Sequence, residues 1–251
     1  MSTLRADAPA FEFSPKGTSS FFAPSRVTDF SNVYSIDVEC VATGWGNRDR
    51  SVARVACVGP NEETLFDCFV KPSLPVTSYL TPLTGITKAD LVDAPSLEEA
   101  KQQLKKILPS SALLVGQSIK HDIDWLGLVE KKDFASNFDV STFFRAMIPQ
   151  TKRVVTFSLR HEVLYLSGFE GAGTDIQAGA HSPVIDALFS VRLYRRFCNA
   201  ELQELAHLKS ALLQAPRTLP FWKTTPYLDG VAMGPPWATP VLSEEERAQR
   251  C

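Results

Sequence analysis

Two carboxylates two positions apart, Asp37 and Glu39 in "YSIDVECVATG" (residues 34–44), interrupt an otherwise apolar run. Side chains alternate along a strand, so this pair projects from one face while Ile36, Val38 and Cys40 project from the other. Acids are depleted in strands and almost never buried unpaired. Two like charges this close are stable near neutral pH only if one takes a proton or a cation lies between them. The plain alternative is a sheet edge facing solvent. A third acid, Asp122 in "LLVGQSIKHDIDWLGL", follows a buried strand at the opening of a helix. There it shares a face with Trp125, Leu126 and Val129, which holds it at the rim of the sheet; a helix cap is its simpler role.

"HSPVIDALFSVRLY" adds the last pieces. Ser182 reads as an N-cap and Pro183 as the first helical residue, which puts Asp186 in the second turn and His181 just before the helix. The helix N-terminus favours an ionised Asp186, and an ordinary histidine pKa of ~6.5 leaves His181 largely neutral and able to accept a proton. Taken alone, His181 is an ordinary loop histidine. Four carboxylates with one histidine, and no Cys or His cluster at zinc spacing, suit Mg²⁺ or Mn²⁺. Two such ions roughly 3.5–4 Å apart clamp the attacking and leaving oxygens of an in-line phosphoryl displacement.

The elements that must position these residues are legible in the hydrophobic pattern. Residues 1 to about 30 carry many Ser, Pro and Phe without a period and read as a disordered arm. Three β-rich runs, "NVYSIDVECVA", "SVARVACVG" and "TLFDCFVKP", have short links that suggest an antiparallel meander. "SLEEAKQQLKKIL" is a helix with Ser96 as N-cap, Glu99 completing a capping box, and Leu97, Ala100, Leu104 and Ile107 on one face. A strand at "SALLVG", a helix from about Asp122 to Val129, a short "FDV" strand and a helix through "STFFRAM" follow. Three amphipathic helices then lie in "TFSLRHEVLYLSG", "SPVIDALFSVRLYRRF" and "AELQELAHLKSALLQA". A meander followed by alternating strand and helix predicts an α/β sandwich with a mixed sheet. The Pro-rich tail from Pro216 reads as a strap ending in a frayed "SEEERAQR".

Composition excludes some settings. With 44% hydrophobic and 22% charged residues the chain resembles a soluble globular protein, and no run approaches a membrane span. The N-terminus shows neither a secretory signal nor a myristoylation site, and five cysteines form no C-x-x-C pair. The expectation is an intracellular protein, in cytoplasm or nucleus and nucleolus, with Cys40, Cys57 and Cys68 as structural thiols. A net charge of −2 decides nothing about partners.

Asp37-Val38-Glu39, then Gly116 to Asp122, then His181 with Asp186 resemble the three motifs of the DEDDh 3′-to-5′ exonucleases, a ribonuclease-H-like family. The resemblance covers about residues 32–198, includes "LTPLTGIT" and "FSLRHEVLYLSG", and is nearest to the RNA exonuclease branch. It implies a ribonuclease-H-like mixed sheet with helices on both faces. The implied organisation is an arm over 1–30, an exonuclease domain over 31–200, and a C-terminal helix and Pro-rich tail over 201–251. It further implies Asp37, Glu39, Asp122 and Asp186 as ligands of two Mg²⁺ or Mn²⁺ ions, and His181 as the base acting on water. Val41 and Ala42 are then candidates to touch the terminal nucleotide. Lys120, His121, Lys152 and Arg153 are candidates for the phosphate backbone, with solvated surface charge as their alternative. The glycine-rich "GFEGAGTDIQAGA" reads as a mobile loop delivering the base. The expected partner is single-stranded nucleic acid, RNA before DNA. A catalytically inactive nucleic-acid-binding adaptor on the same fold, and a DNA exonuclease, are the alternatives. "CVATGWGNRDR" is longer than in most relatives, and His121 stands where Phe or Asn is common. In the arm, Leu4, Ala8 and Phe11 resemble the peptide motif that docks on poly(A)-binding protein, which makes residues 2–13 a candidate anchor.

Overall fold

The computed structural model describes residues 26–148 and 151–249; the candidate anchor at residues 2–13 lies outside them. Three strands open the domain: β1 (Val33–Ala42), β2 (Arg50–Val58) and β3 (Thr64–Phe69), paired antiparallel as a meander. There follow α1 (Thr81–Thr84), α2 (Leu97–Ile107), β4 (Leu113–Gly116), α3 (Lys120–Leu126) and β5 (Ser136–Asp139). β4 and β5 add in parallel, giving the mixed order β3-β2-β1-β4-β5. β1 is therefore central, and its acids do not lie on a solvent-facing edge.

The sheet is covered on both faces. Ile36 and Cys57 on one side pack beneath Ala100 and Leu104 of α2 and Ile123 and Leu126 of α3. The capping box of Ser96 and Glu99 starts α2, worth about 1 kcal/mol. Ile107 is 37% exposed, and Leu108, at 4%, takes the core position expected of it. α3 stops at Leu126 because Gly127 adopts a left-handed φ of 58°, which leaves Val129 in solvent rather than on the apolar face.

After β5 the chain departs from the expected helix through "STFFRAM". A single 3-10 turn over Val140–Phe144 leads into a hairpin of β6 (Ala146–Ile148) and β7 (Arg153–Val155). The two adjacent phenylalanines both reach Phe197, Phe144 edge-on at 5.0 Å and Phe143 at 6.5 Å, while Phe143 also meets Phe138 at 4.8 Å in a tilted pair. α4 (Leu159–Tyr165), α5 (Pro183–Phe197) and α6 (Leu202–Gln214) complete the helical layer. α5 covers the second face of the sheet through Ala187, Val191 and Tyr194 on Val33, Val58 and Val115. α6 packs on α4 and α5 through Leu205, Leu208 and Leu212.

Both ends are more structured than the sequence suggests. Residues 26–30, read as part of a disordered arm, are docked: Val27 and Asn199 exchange two 2.8 Å hydrogen bonds, and Phe30 meets Tyr194 edge-on. The tail contains α7 (Phe221–Thr224), the hairpin β8 (Tyr227–Leu228) and β9 (Val231–Ala232), and α8 (Glu244–Ala248). α8, expected to fray, starts on a Ser243/Glu246 capping box, and the Arg247 guanidinium lies 4.3 Å over Trp45. Among the described residues no helix is long and apolar enough to cross a membrane.

Candidate active site

The site exists because one strand outruns its neighbour. β4 pairs with β1 only over Val33–Ser35, and beyond it the outer edge of β1 has no ladder partner on that side. The free Val38 N–H instead donates to Asp122 Oδ1 at 3.1 Å, so a carboxylate from α3 satisfies a strand donor that would otherwise be orphaned. On the other side a β-bulge follows Glu39, placing two β2 residues opposite the step to Cys40. Asp37 and Glu39 stay on the α5 side, while Val38 and Cys40 pack on the α2 and α3 core.

Asp186 enters from the opening turn of α5, where its N–H donates to Ser182 O at 2.9 Å. His181 is held just before the helix by its own N–H, which donates to Leu83 O at 2.7 Å. That carbonyl belongs to α1, whose end is fixed by Gly85 at φ 70° and by the Thr84 hydroxyl bonded to Tyr79 O. The Thr-Gly-Ile-Thr stretch thus positions the histidine. His181 Nδ1 lies 3.9 Å from Glu39 Oε1, too far for a direct hydrogen bond.

The acids sense one another. Burial, then the charges of Asp122, Asp186 and Glu39, hold Asp37 well above the usual carboxylate range. Burial and the same neighbours push Glu39 up to about 8, and Arg54, tied to Asp67 by two 2.8 Å bonds, offsets little of it. Burial raises Asp122 to about 7 despite the Val38 N–H. Asp186 rises to about 6 by burial, against the amide of Gln177, which donates to Oδ2 at 3.1 Å. The helix N-terminus was expected to favour its ionised form, but desolvation outweighs that contribution. Burial, and then Arg160, lower His181 below its ordinary value, so it is neutral at pH 7.

These residues fit a divalent cation. Asp186 Oδ1 is buried without a hydrogen-bond partner, and donor atoms of Glu39, His181 and Asp186 all lie within 4.8 Å of one another. A cation among them would relieve the repulsion that now raises the carboxylates. Oxygen donors dominate, as a hard ion requires.

Two clefts meet at the acids. The larger, about 1010 Å³, is lined by Asp37, Gln117, Phe157, Arg160, His181 and Asp186 together with the strap from Arg217 to Phe221. The smaller, about 320 Å³, contains Asp37, Glu39 and Asp122 with Arg50, Leu80, Leu83, His121 and Trp125. The expected nucleotide contacts change accordingly. Val41 and Ala42 are fully buried, Val41 among Ala53, Ile86 and Leu91 and Ala42 against Leu80 and Val231, so their side chains cannot touch a substrate. Lys120 turns to Asp124, with bonds of 2.9 and 3.0 Å, and lines neither cleft; His121 does line the smaller one. Lys152 and Arg153 are exposed in the β6–β7 hairpin, away from the acids. The glycine-rich loop is tethered rather than loose: Gly173 N–H donates to Val163 O, Arg160 grips Asp175, and Gln177 holds Asp186. Arg160 and Gln177 as site residues, and the place of the strap in the cleft wall, escaped the sequence reading, although Leu80 opens the "LTPLTGIT" stretch and the tail was read as a strap. Neither Arg160 nor Gln177 carries a motif, and the strap is distant in the chain.

The comparisons with known proteins agree with this geometry. The exonuclease family model RNase_T matches residues 35–194. RNA exonuclease 4 of Candida glabrata is 33% identical over 161 residues, covering 64% of this chain and 58% of that protein. RNA exonuclease 4 of Aspergillus fumigatus is 33% identical over 187 residues, covering 74% and 56%. The chain therefore spans a little over half the length of these relatives. The Neurospora crassa Pan2 catalytic unit superposes with a TM-score of 0.55 at 20% identity, over 78% of this chain and 31% of that one, which identifies the fold as ribonuclease-H-like. With more than half its length matched by the family model, the chain belongs to the RNase_T exonuclease family.

Proposed function

We propose that this chain is a metal-dependent 3′-to-5′ exonuclease that hydrolyses single-stranded nucleic acid, RNA in preference to DNA, to 5′-mononucleotides. The observation that carries the reading is the convergence of Asp37, Glu39, Asp122 and Asp186, from three separate segments, on one buried site whose charges repel. In this reading the four carboxylates hold two divalent ions, Mg²⁺ or Mn²⁺. When bound, such ions stabilise charge on the attacking and leaving oxygens of the phosphodiester. Neutral His181 accepts the proton of the attacking water as its oxygen bonds phosphorus and the bond to the 3′ oxygen breaks. The relatives named RNA exonuclease 4 and a solved RNA complex of the Saccharomyces cerevisiae Pan2 module support RNA as substrate. Cys40, Cys57, Cys68 and Cys198 are free thiols, in keeping with a reducing, intracellular setting.

A 5′-labelled single-stranded RNA and the matching DNA, incubated with Mg²⁺, Mn²⁺ or EDTA, test this directly. A ladder shortening from the 3′ end with wild type, absent with Glu39→Ala and with EDTA, is the expected result. Binding without shortening would leave an adaptor on a nuclease fold. The donor group of Glu39, His181 and Asp186 favours a second reading for one residue, with His181 ligating an ion instead of moving a proton. Mn²⁺ affinity of His181→Ala separates the two: unchanged for a base, reduced for a ligand.

A further inference from the structure

The large cleft does not end at the acids. It shares Thr156, Phe157, Ser158 and the strap residues Arg217 to Pro220 with a further groove of about 470 Å³, which extends to Arg153 and Val154 of β7 and to Lys223. The groove lining contains three cations, Arg153, Arg217 and Lys223, and no acidic residue. Arg153, Arg217 and Lys223 are exposed, and none makes an ion pair among the described residues. Between them lie exposed apolar surfaces, Val154 at 66% and Leu219 at 51%, and the half-buried Phe157 ring.

The strap is held in place by His161. This residue is 5% exposed, stacks on Phe157 with centroids 5.0 Å apart, and reaches Thr218 Oγ1 at 3.2 Å and Leu212 O at 3.0 Å. The strap lies beyond residues 35–194, the stretch that the family model matches.

We propose that strap and hairpin form a channel for the nucleotides upstream of the reacting 3′ end of a single strand. This rests on the nuclease reading and deepens it. Cations track phosphates, and exposed apolar and aromatic surfaces take bases without regard to sequence. The smaller chamber at the acids, bounded by Leu80, Leu83 and Trp125, has room for one terminal nucleotide; the strap-walled cleft and its groove together are several times larger. That asymmetry assigns the leaving nucleotide to the small chamber and the body of the strand to the strap side. Substrate length is thereby read jointly by the β6–β7 hairpin, inside the stretch the family model matches, and by the strap beyond it.

The test uses the full chain on a Glu39→Gln background, so that binding is read without cleavage. Fluorescence anisotropy with 5′-fluorescein oligoadenylates of three and ten nucleotides compares this background with added Arg153→Glu/Lys223→Glu. The expected result is a roughly tenfold or larger rise in Kd for the ten-mer, a change within about twofold for the trimer, and a salt slope shallower by about 1.4 for the ten-mer. The neutral pair Arg153→Gln/Lys223→Gln gives the same length dependence with smaller amplitude. Lys106→Glu, an exposed charge on α2 remote from the groove lining, leaves the ten-mer Kd within about twofold. Equal changes at both lengths, or none, overturn the channel, as does an equal effect of Lys106→Glu. Wild type failing to shorten RNA while the length dependence persists would remove the nuclease reading and leave the channel standing.

Discussion

Glu39→Gln is expected to stabilise the metal-free protein at alkaline pH while abolishing the proposed exonuclease activity. Glu39 is 8% exposed, and its pKa rises from 4.5 to about 8 through burial and the charges of Asp186 and Asp122. The folded state therefore holds this proton more tightly than the unfolded chain does. Between pH 4.5 and about 8 the folded state binds more protons, so stability falls as pH rises through that window and the penalty is complete above it. At about 1.36 kcal/mol per pKa unit the full penalty is roughly 5 kcal/mol, and relaxation of the neighbouring acids brings it to about 3–5 kcal/mol. Glutamine keeps the shape and lacks the charge. Thermal unfolding in EDTA should show matching midpoints near pH 4.5 and a variant higher by roughly 6–20 °C at pH 8.5. Mg²⁺ should raise the wild-type midpoint at pH 8.5 and leave the variant unmoved. A variant less stable at every pH, or a difference that does not grow with pH, would refute the electrostatic reasoning.

Other perturbations have equally definite outcomes. His181→Ala lowers kcat by about 10²–10⁴-fold with RNA affinity nearly unchanged, since proton transfer is its proposed task; equal losses in both would make it a substrate-positioning residue. In wild type the acidic limb of the pH–rate profile is shaped by His181, whose pKa lies below 6.5, and turnover is lost as pH falls through that value and the imidazole charges. Asp229→Ala removes the acceptor for the Ser78 hydroxyl, which itself receives the Leu80 N–H beside the smaller chamber. The loss costs about 1–3 kcal/mol, seen as a lower urea midpoint with unchanged m. Phe144→Ala empties a fully buried position against Phe197 and destabilises by about 3–5 kcal/mol in the same assay.

What was legible in the sequence follows from what local physics determines. Strand alternation placed Asp37 and Glu39 on one face, and the Ser182-Pro183 start placed Asp186 and His181 at the head of α5, because both are consequences of backbone geometry within a few residues. The antiparallel meander and the mixed character of the sheet were readable from short links followed by alternation of strand and helix. Competition between contacts was not readable. "STFFRAM" has helical residues, yet Phe144 is buried against Phe197 while Phe143 bridges Phe197 and Phe138, and the chain turns into a hairpin. Val41 and Ala42 follow the acids in sequence but lie beyond the bulge, where Ile86 and Leu91 bury Val41 and the start of α1 with the β8–β9 hairpin buries Ala42. The ionisation of Asp186 depends on how deeply α5 sinks into the sheet, which no window of residues reports. The strap's place in the cleft is set by His161, more than fifty residues away, through Thr218.

Whether the four carboxylates cage divalent metal decides the proposed function. Crystals soaked in Mn²⁺, with anomalous scattering recorded at the manganese edge, test it most directly. Two peaks bounded by oxygens of Asp37, Glu39, Asp122 and Asp186, both lost in Glu39→Gln, are expected. Saturating Mn²⁺ with no anomalous density among these side chains would contradict it.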